Sequence, residues 1–241
     1  PLHHRIERIA DDDHHRVGAR LFNLVADRRH DLGVRAEQII AAHPRLARNA
    51  GGDDDDVAVF GSVVAGRADD DAITQHLCNR FPTLGQMVIG FYWPFKGEFD
   101  PRFAIRHWRE AGARVALPVV IEKNAPLVYR EWWPGVATEP GVLNLPVPQG
   151  TEILVPDTVL IPPVGFDEGG YRLGYGGGYF DRTLAAMHPQ PKKIAVAFEM
   201  SRISTIRPQP HDISMDFVVT ELGVYQAMPH GLVPAGNGAL A

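Results

Sequence analysis

The chain lacks paired cysteines, an excess of basic residues and long apolar runs, and each absence excludes a class of protein. A single cysteine, Cys78, among 241 residues excludes an internal disulfide and any zinc site built on cysteines. The formal net charge of −5 provides no overall basic surface for a nucleic acid. No apolar run approaches the roughly 20 residues of a transmembrane helix, and the first residues are too polar for the apolar core of a secretory signal.

These absences favour a cytoplasmic enzyme or binding protein that acts on a small molecule. We expect no nucleic acid, membrane or protein partner. Apolar content of 45% and charged content of 22% are ordinary for a globular protein, and the length suits one sizeable α/β domain or two small ones. The HExxH, GxSxG and protein-kinase motifs do not occur, so nothing specific supports a serine or cysteine nucleophile.

Residues 1–71 differ in composition from the rest of the chain. Of the 21 aromatic residues, only Phe22 and Phe60 precede Phe81. Three acidic runs also lie in this segment: Asp11–Asp13, Asp53–Asp56 and Asp69–Asp71. Such a segment has little material for a core, and its composition is typical of disordered chain. Its histidines could ligate a metal, but no folded frame is predicted to fix their geometry, so a solvated tail is the better interpretation.

From Ala72 onward, stretches with helical periodicity alternate with short apolar strands. Predicted helices cover Ala72–Phe81, Pro101–Ala113 and 179–188, and predicted strands cover Met87–Trp93, Val115–Ile121, Leu127–Trp132, Thr158–Ile161, Lys193–Phe198 and Asp216–Thr220. The proline-rich residues 134–150 are predicted to form an irregular connection. We therefore predict one α/β domain over residues 72–227, with a mostly parallel central sheet flanked by helices. Residues 228–241 are predicted to form a flexible tail.

The stretch from Thr158 to Met187 joins a strand, a glycine loop and the start of a helix. Seven glycines occur in the fourteen positions from Gly165 to Gly178. This arrangement presents backbone N–H groups and the positive end of a helix to an anion, and side chains would block that approach. The loop is not a Walker A sequence, and Tyr179 stands where a dinucleotide fingerprint has its third glycine. The residues alone leave two interpretations open, phosphate binding and a surface hairpin that is merely rich in glycine.

Four charged residues lie near this loop or after other predicted strands, where ligands gather in α/β sheets. Arg172 could supply a bidentate phosphate contact. Asp181 falls in a first helical turn, where a carboxylate either complements the helix dipole or binds magnesium beside nucleotide phosphates. Asp212 is a second magnesium candidate or a turn residue. Glu98 follows a buried strand and is either a ligand-binding carboxylate or a solvated loop residue.

Five segments of the domain occur in an order and at separations that together are specific. They are IGFYWPFKGEFDPR, LNLPVPQGTEI, VPDTVLIPPVGFD, YRLGYGGGYFDRTL and HDISMDFVVTE. This set resembles the 5-formyltetrahydrofolate cyclo-ligases, also called 5,10-methenyltetrahydrofolate synthetases, over residues of about 73 to 225. The resemblance implies a ligase of one-carbon metabolism that uses ATP and magnesium. Such an enzyme closes the ring of 5-formyltetrahydrofolate and releases 5,10-methenyltetrahydrofolate, ADP and phosphate.

The resemblance also implies a role for each residue that matches a motif. It implies catalytic roles for Glu98, Arg172 and Tyr179. ATP would contact Arg172, Leu173, Gly174, Tyr175, Gly176, Gly177, Gly178, Tyr179 and Phe180. The folate would contact Trp93, Glu98, Tyr175 and Tyr179, with the Glu98 carboxylate pairing with N–H groups of the pterin. Magnesium would bind Asp181 and Asp212.

The chain departs from the family pattern at several positions. No Lys-x-x-Leu-Arg segment, whose basic groups contact ATP in relatives, precedes Ile73. Gly177 stands where many relatives have lysine, and Val147 replaces a common glutamate or glutamine. The alternative function is therefore a non-catalytic paralogue that binds folate and nucleotide. A different α/β enzyme acting on sugar phosphates is a further alternative.

Overall fold

The computed structural model of the chain describes residues 67–95 and 97–240. Residues 1–66, which form most of the predicted N-terminal segment, lie outside the described residues. Within the described ranges, no helix has both the length and the apolar character needed to cross a membrane.

Three α-helices occur in the described chain. They are α1 (Arg67–Arg80), α2 (Arg102–Glu110) and α3 (Tyr179–Ala186), and 3-10 turns cover Pro82–Gln86, Val142–Asn144 and Glu199–Ser201. Helix α1 begins five residues before its predicted start at Ala72. Asp69 and Asp70 lie in its first turn, where negative charge complements the helix dipole. The acidic run Asp69–Asp71, which by composition belongs to the N-terminal segment of residues 1–71, therefore lies at the start of a helix.

A nine-stranded sheet forms the centre of the fold. Its strands are β1 (Val88–Gly90), β2 (Arg114–Val119), β3 (Val128–Glu131), β6 (Ile153–Leu154), β7 (Thr158–Ile161), β10 (Lys192–Val196), β12 (Phe217–Thr220), β13 (Gly223–Met228) and β14 (Gly231–Pro234). Their order across the sheet is β14-β13-β12-β10-β7-β1-β2-β3-β6. A three-stranded sheet contains β8 (Gly165–Asp167), β9 (Arg172–Leu173) and β11 (Arg202–Ile203), and β4 (Thr138–Pro140) pairs with β5 (Pro146–Pro148).

Within the large sheet, only the five central strands pair in parallel; β8 and β11 of the three-stranded sheet are also parallel. Strands β12, β10, β7, β1 and β2 pair in parallel, while the outer strands pair antiparallel. Parallel neighbours need long crossovers, whereas short turns join β2 to β3 and β12 to β13 and so force antiparallel pairing. The predicted α/β class with a central sheet is confirmed, and its parallel part is the middle of that sheet.

The structure also differs from the sequence-based prediction in residues 134–150 and in the predicted tail. Residues 134–150, predicted to be an irregular connection, contain the antiparallel pair β4 and β5. Residues 231–234, within the predicted flexible tail, form β14 and pair with β13. Beyond this strand the N–H of Leu240 donates to the carbonyl of Arg80 at 2.6 Å, which returns the chain to α1. Backbone hydrogen bonds to β13 thus stabilise a strand in a segment whose Gly/Ala/Pro-rich composition predicts a flexible tail.

Helices cover both faces of the large sheet. Alternate side chains of a strand point to opposite faces, and accordingly Leu160 of β7 lies in one buried cluster while Val159 and Ile161 lie in the other. Trp108 of α2 belongs to the first cluster and Leu184 of α3 to the second. The sheet is therefore packed between α1 and α2 on one side and α3 on the other, which confirms the predicted flanking helices.

Candidate active site

A cleft lies at the edge of the sheet where the parallel strands β1, β7 and β10 end. Each strand is followed by a short loop that turns over this edge, and these loops supply the lining: Gly97, Glu98, Phe99, Pro162, Pro163, Val196, Ala197, Phe198 and Ser201. Ligands of α/β sheets collect at the carboxyl ends of parallel strands. The topology thus places Glu98 at the expected edge.

Glu98 is held in the cleft by two hydrogen-bond donors. Its Oε2 accepts the backbone N–H of Phe95 at 2.9 Å, and its Oε1 accepts the hydroxyl of Tyr175 at 3.3 Å. Burial raises the pKa of the Glu98 carboxyl to about 8, while the Phe95 N–H and the Tyr175 hydroxyl act to lower it. The pKa is raised overall because neither donor carries a full positive charge that would offset the loss of solvation of the carboxylate. The half-buried carboxyl therefore changes charge close to neutral pH.

The glycine loop that contains Tyr175 runs from β9 into α3. Gly176 and Gly178 have positive φ values of 85° and 61°, a backbone region in which glycine carries no steric cost. Gly178 is the N-cap of α3, and no side chain caps the helix there. The N-terminus of α3 therefore carries no capping side chain that would stand in the way of an anion. The contact between Tyr175 and Glu98 joins this loop to the cleft.

Arg182 packs against the glycine loop from the first turn of α3. Its Nη2 donates to the carbonyl of Gly177 at 2.7 Å, and its guanidinium lies 5.0 Å from the centre of the Tyr179 ring. Its sequence position marks it only as a cation near the loop and gives it no role. The structure shows that it supports the loop backbone and orients the ring of Tyr179.

Arg172 lies at the start of the loop and is buried. Its Nη2 lies 3.0 Å from Oδ1 of Asp181, and its Nη1 donates to the carbonyl of Ile213 at 2.9 Å. The same Oδ1 of Asp181 accepts the backbone N–H of Ile213 at 3.1 Å. Two residues with separate predicted roles, in phosphate and magnesium binding, therefore form an ion pair.

Asp212 lies next to this ion pair along the chain because it precedes Ile213. Its Oδ2 accepts the N–H of Gln209 at 2.7 Å. No cluster of three or more histidine, cysteine or acidic residues suited to a metal occurs in the described ranges. Magnesium in a nucleotide site takes only one or two carboxylates, with phosphates and water as its other ligands. The described residues thus form no cage for a free cation, and the magnesium role of Asp181 and Asp212 stays a prediction.

Trp93, the predicted folate contact, follows β1 as Glu98 does. Its ring meets that of Trp132 edge to face at 5.9 Å, and Trp132 meets Phe91 at 5.4 Å. The guanidinium of Arg102 lies 4.7 Å from the centre of the Trp93 ring on the outside. Trp93 and Trp132 are thus both partly buried, and both pack against the core.

Asp167, at the end of β8, fixes the hairpin that carries Arg172. Its side chain is buried, and Oδ1 accepts the N–H groups of Gly169 and Tyr171 at 2.9 and 3.0 Å. Its Oδ2 accepts the N–H of Ile206 at 2.9 Å. Asp167 lies in the segment VPDTVLIPPVGFD, but the sequence does not predict a role for it. Its contact with Ile206 forms only in the folded chain.

Replacing Asp167 by asparagine is expected to destabilise the protein by about 2 kcal/mol, because an amide cannot accept all three of these backbone hydrogen bonds. For a chain of this size the melting temperature should fall by about 6 °C. Asp157→Asn is a matched control, since Asp157 accepts one backbone N–H, that of Val88, and is exposed there. Equal melting temperatures for the two variants, measured by calorimetry, would contradict the role given to Asp167.

Comparison with known proteins gives a consistent result. Residues 39–221 match the model of the "5-formyltetrahydrofolate cyclo-ligase family", a match that begins within the segment set apart by composition. The 5-formyltetrahydrofolate cyclo-ligase of Escherichia coli K12 is 33% identical over 109 residues, which cover 43% of this chain and 60% of that protein. The enzyme of the same name from Mycolicibacterium smegmatis is 39% identical over 95 residues, or 36% of this chain and 49% of that protein. The chain thus spans about half to 60% of these curated relatives.

Solved structures agree on the fold. The 5,10-methenyltetrahydrofolate synthetase of Aquifex aeolicus superposes with a TM-score of 0.57 at 24% identity, covering 70% of this chain and 85% of that chain. A 5,10-methenyltetrahydrofolate synthetase from Mycoplasma pneumoniae gives a TM-score of 0.54 at 25% identity, with 66% and 89% coverage. The α/β fold is therefore shared with both structures.

Proposed function

The chain belongs to the 5-formyltetrahydrofolate cyclo-ligase family, and on this basis we propose that it converts 5-formyltetrahydrofolate and ATP into 5,10-methenyltetrahydrofolate, ADP and phosphate. The observation that supports this most directly is the contact between Tyr175 and Glu98. It brings the glycine loop next to the half-buried carboxyl of Glu98. A reaction between a nucleotide phosphate and a pterin needs such a pair of neighbouring sites. As in the sequence-based expectation, we propose that the protein acts in the cytoplasm.

We propose that the glycine loop, residues 173–180, holds the phosphates of ATP. The uncapped N-terminus of α3 and the side-chain-free backbone at Gly176 and Gly178 would supply N–H donors to the phosphate oxygens. Magnesium would be held by Asp181 and Asp212 together with those phosphates, and it would neutralise charge that develops on the transferred phosphoryl group.

The folate is proposed to bind against Glu98, Trp93 and Tyr179. An ionised carboxylate accepts two N–H groups of a pterin side by side, a charge-assisted arrangement. Since the pKa of Glu98 is about 8, binding in this form requires the carboxyl to lose its proton near neutral pH. The rings of Trp93 and Tyr179 would pack against the flat ligand.

The reaction depends on the orientation of the two substrates more than on reactive side chains of the protein. The formyl oxygen attacks the γ-phosphorus of ATP and ADP leaves, so that the oxygen now carries the phosphoryl group. N10 of the folate attacks the activated formyl carbon and loses its proton, and the C–O bond breaks to release phosphate. The chain's residues hold both ligands in line and keep water out of the cleft. No covalent bond to the protein forms.

The test is the appearance of methenyltetrahydrofolate absorbance from 5-formyltetrahydrofolate, with and without ATP. We expect product only when ATP is present, with one ADP formed per product. Calorimetry with each ligand would accompany it. Binding of both ligands with no product would favour the non-catalytic paralogue instead, and binding of neither would contradict both.

A further inference from the structure

A closed set of polar contacts links the two ends of the glycine loop to a third segment. Arg172 lies just before the loop and Asp181 just after it, and Ile213 belongs to the segment that leads into β12. The guanidinium of Arg172 binds the Asp181 carboxylate and the Ile213 carbonyl, and the Ile213 N–H binds the same carboxylate oxygen. We call these three residues the loop clasp.

The clasp leaves Arg172 poorly placed to contact phosphate. Its side chain is 5% exposed, and its guanidinium lies 5.9 Å from the ring of Phe180. A bidentate phosphate contact uses two nitrogens of the guanidinium. Both terminal nitrogens of Arg172 already have partners, one in Asp181 and one in Ile213.

The clasp also controls what Asp181 can offer to a cation. Oδ1 takes the contacts from both Arg172 and Ile213, while within the described chain Oδ2 accepts no hydrogen bond. The clasp thus fixes the rotation of the carboxylate and leaves Oδ2 for another ligand. Because Ile213 follows Asp212, the same contacts fix the backbone of the segment that carries the second candidate carboxylate.

We propose that Arg172 is a positioning residue, which acts through Asp181 and the backbone of the 212–213 segment to orient the proposed magnesium ligands rather than by contacting phosphate. The inference rests on the proposed function, because it gives the site magnesium and a nucleotide. Hydrogen-bond partners of metal ligands typically contribute 10–100-fold to metal affinity by fixing the ligand.

Charge alone predicts the opposite effect. A guanidinium beside a metal ligand repels an incoming cation, so removing it without any loss of geometry should strengthen magnesium binding. Positioning and electrostatics therefore change magnesium affinity in opposite directions, and a measurement of the sign separates them.

The test uses Arg172→Lys and Arg172→Gln in the full chain. Lysine keeps the charge but lacks the planar fork that reaches both partners, and glutamine removes the charge. The matched control is Arg202→Lys. Arg202 is also a mostly buried arginine, paired with Glu199 and stacked on Phe166, but it lies outside the clasp.

Two readouts are measured. The first, measured by calorimetry, is the magnesium concentration at which ADP binding reaches half of its maximum. We expect this concentration to rise about tenfold in both Arg172 variants and to stay unchanged in Arg202→Lys. The second is hydrogen exchange of the Ile213 amide in the ligand-free protein, which should become faster in both Arg172 variants only.

Each other outcome overturns the proposal in a distinct way. A lower magnesium midpoint would show that only the charge matters, and an unchanged midpoint with weaker ADP binding in EDTA would show direct phosphate contact. An unchanged rate of hydrogen exchange at the Ile213 amide would mean that Arg172 does not stabilise the hydrogen bond from Ile213 to Asp181. If the wild-type protein binds no ADP with magnesium, the proposed function fails as well, whereas failure in the variants alone overturns only this inference.

Discussion

Replacing Asp181 by asparagine is expected to lower kcat/KM for ring closure by about 1000-fold, the largest effect of any single change considered. The substitution removes a proposed magnesium ligand, and metal stabilisation of phosphoryl charge contributes several kcal/mol. Saturating magnesium should recover only part of the loss, because an amide oxygen remains a weak ligand. The measurement is the product assay at a series of magnesium concentrations.

The same substitution should also cost stability. Asp181 pairs with Arg172, whose side chain is 5% exposed, so asparagine leaves a buried guanidinium without its counter-ion. We expect a loss of about 2 kcal/mol in the free energy of unfolding, less than for a fully buried pair because the Asp181 side chain is 20% exposed. The double variant Arg172→Gln/Asp181→Asn should regain part of the stability and none of the activity. A single variant with normal magnesium dependence would contradict the metal role of Asp181.

The second large effect is expected for Glu98→Gln. The substitution replaces one acceptor oxygen by an amide donor that faces the pterin N–H groups, so kcat/KM for the folate should fall about 100-fold. The affinity for ATP should stay within about twofold, because the glycine loop keeps its backbone. Equal losses for the two substrates would place Glu98 outside the folate site.

The pH dependence of Glu98→Gln provides a separate check. Burial holds the pKa of Glu98 at about 8, above its ordinary value of 4.5, so the folded wild-type protein binds a proton that the unfolded chain has lost. Its stability is therefore fully present below pH 4.5, decreases as the pH rises from there to about 8, and then levels off because both states have lost the proton. Glutamine does not titrate, so at pH 9 the variant should be more stable than the wild type by about 2 kcal/mol. Parallel stability curves from pH 5 to 9 would contradict the raised pKa.

The elements that position the site were predictable from local sequence. Strand β7 has the predicted bounds, Thr158–Ile161, since a short run of buried residues stops at two prolines. The start of α3 at Tyr179 follows from the glycines before it. The approach of Glu98 to Tyr175 was expected from topology, because both follow strands that end at the same edge.

Contacts between distant segments could not be read from the sequence. The pairing of Arg172 with Asp181 depends on the position of Ile213, about 40 residues away from Arg172. Each residue alone therefore suggests a separate ligand role. Likewise, the raised pKa of Glu98 depends on burial beneath loops from β7 and β10, and not on its neighbours in sequence.

Among the described residues, Arg182 supplies a positive charge close to the glycine loop. The predicted absence of a Lys-x-x-Leu-Arg segment concerns residues outside the described ranges. Within those ranges Arg182 packs on the carbonyl of Gly177, close to the position where relatives have lysine. Arg182 therefore brings a cation to the loop from the helix that follows it.

The most direct test of the proposed reaction follows one oxygen atom. 5-Formyltetrahydrofolate labelled with ¹⁸O in its formyl group is incubated with ATP, magnesium and the protein, and the released phosphate is analysed by mass spectrometry. Since the formyl oxygen is proposed to attack the γ-phosphorus and leave with it, we predict one ¹⁸O in each phosphate formed. Unlabelled phosphate accompanying methenyltetrahydrofolate would show that the formyl oxygen is never phosphorylated, and would contradict the proposed mechanism.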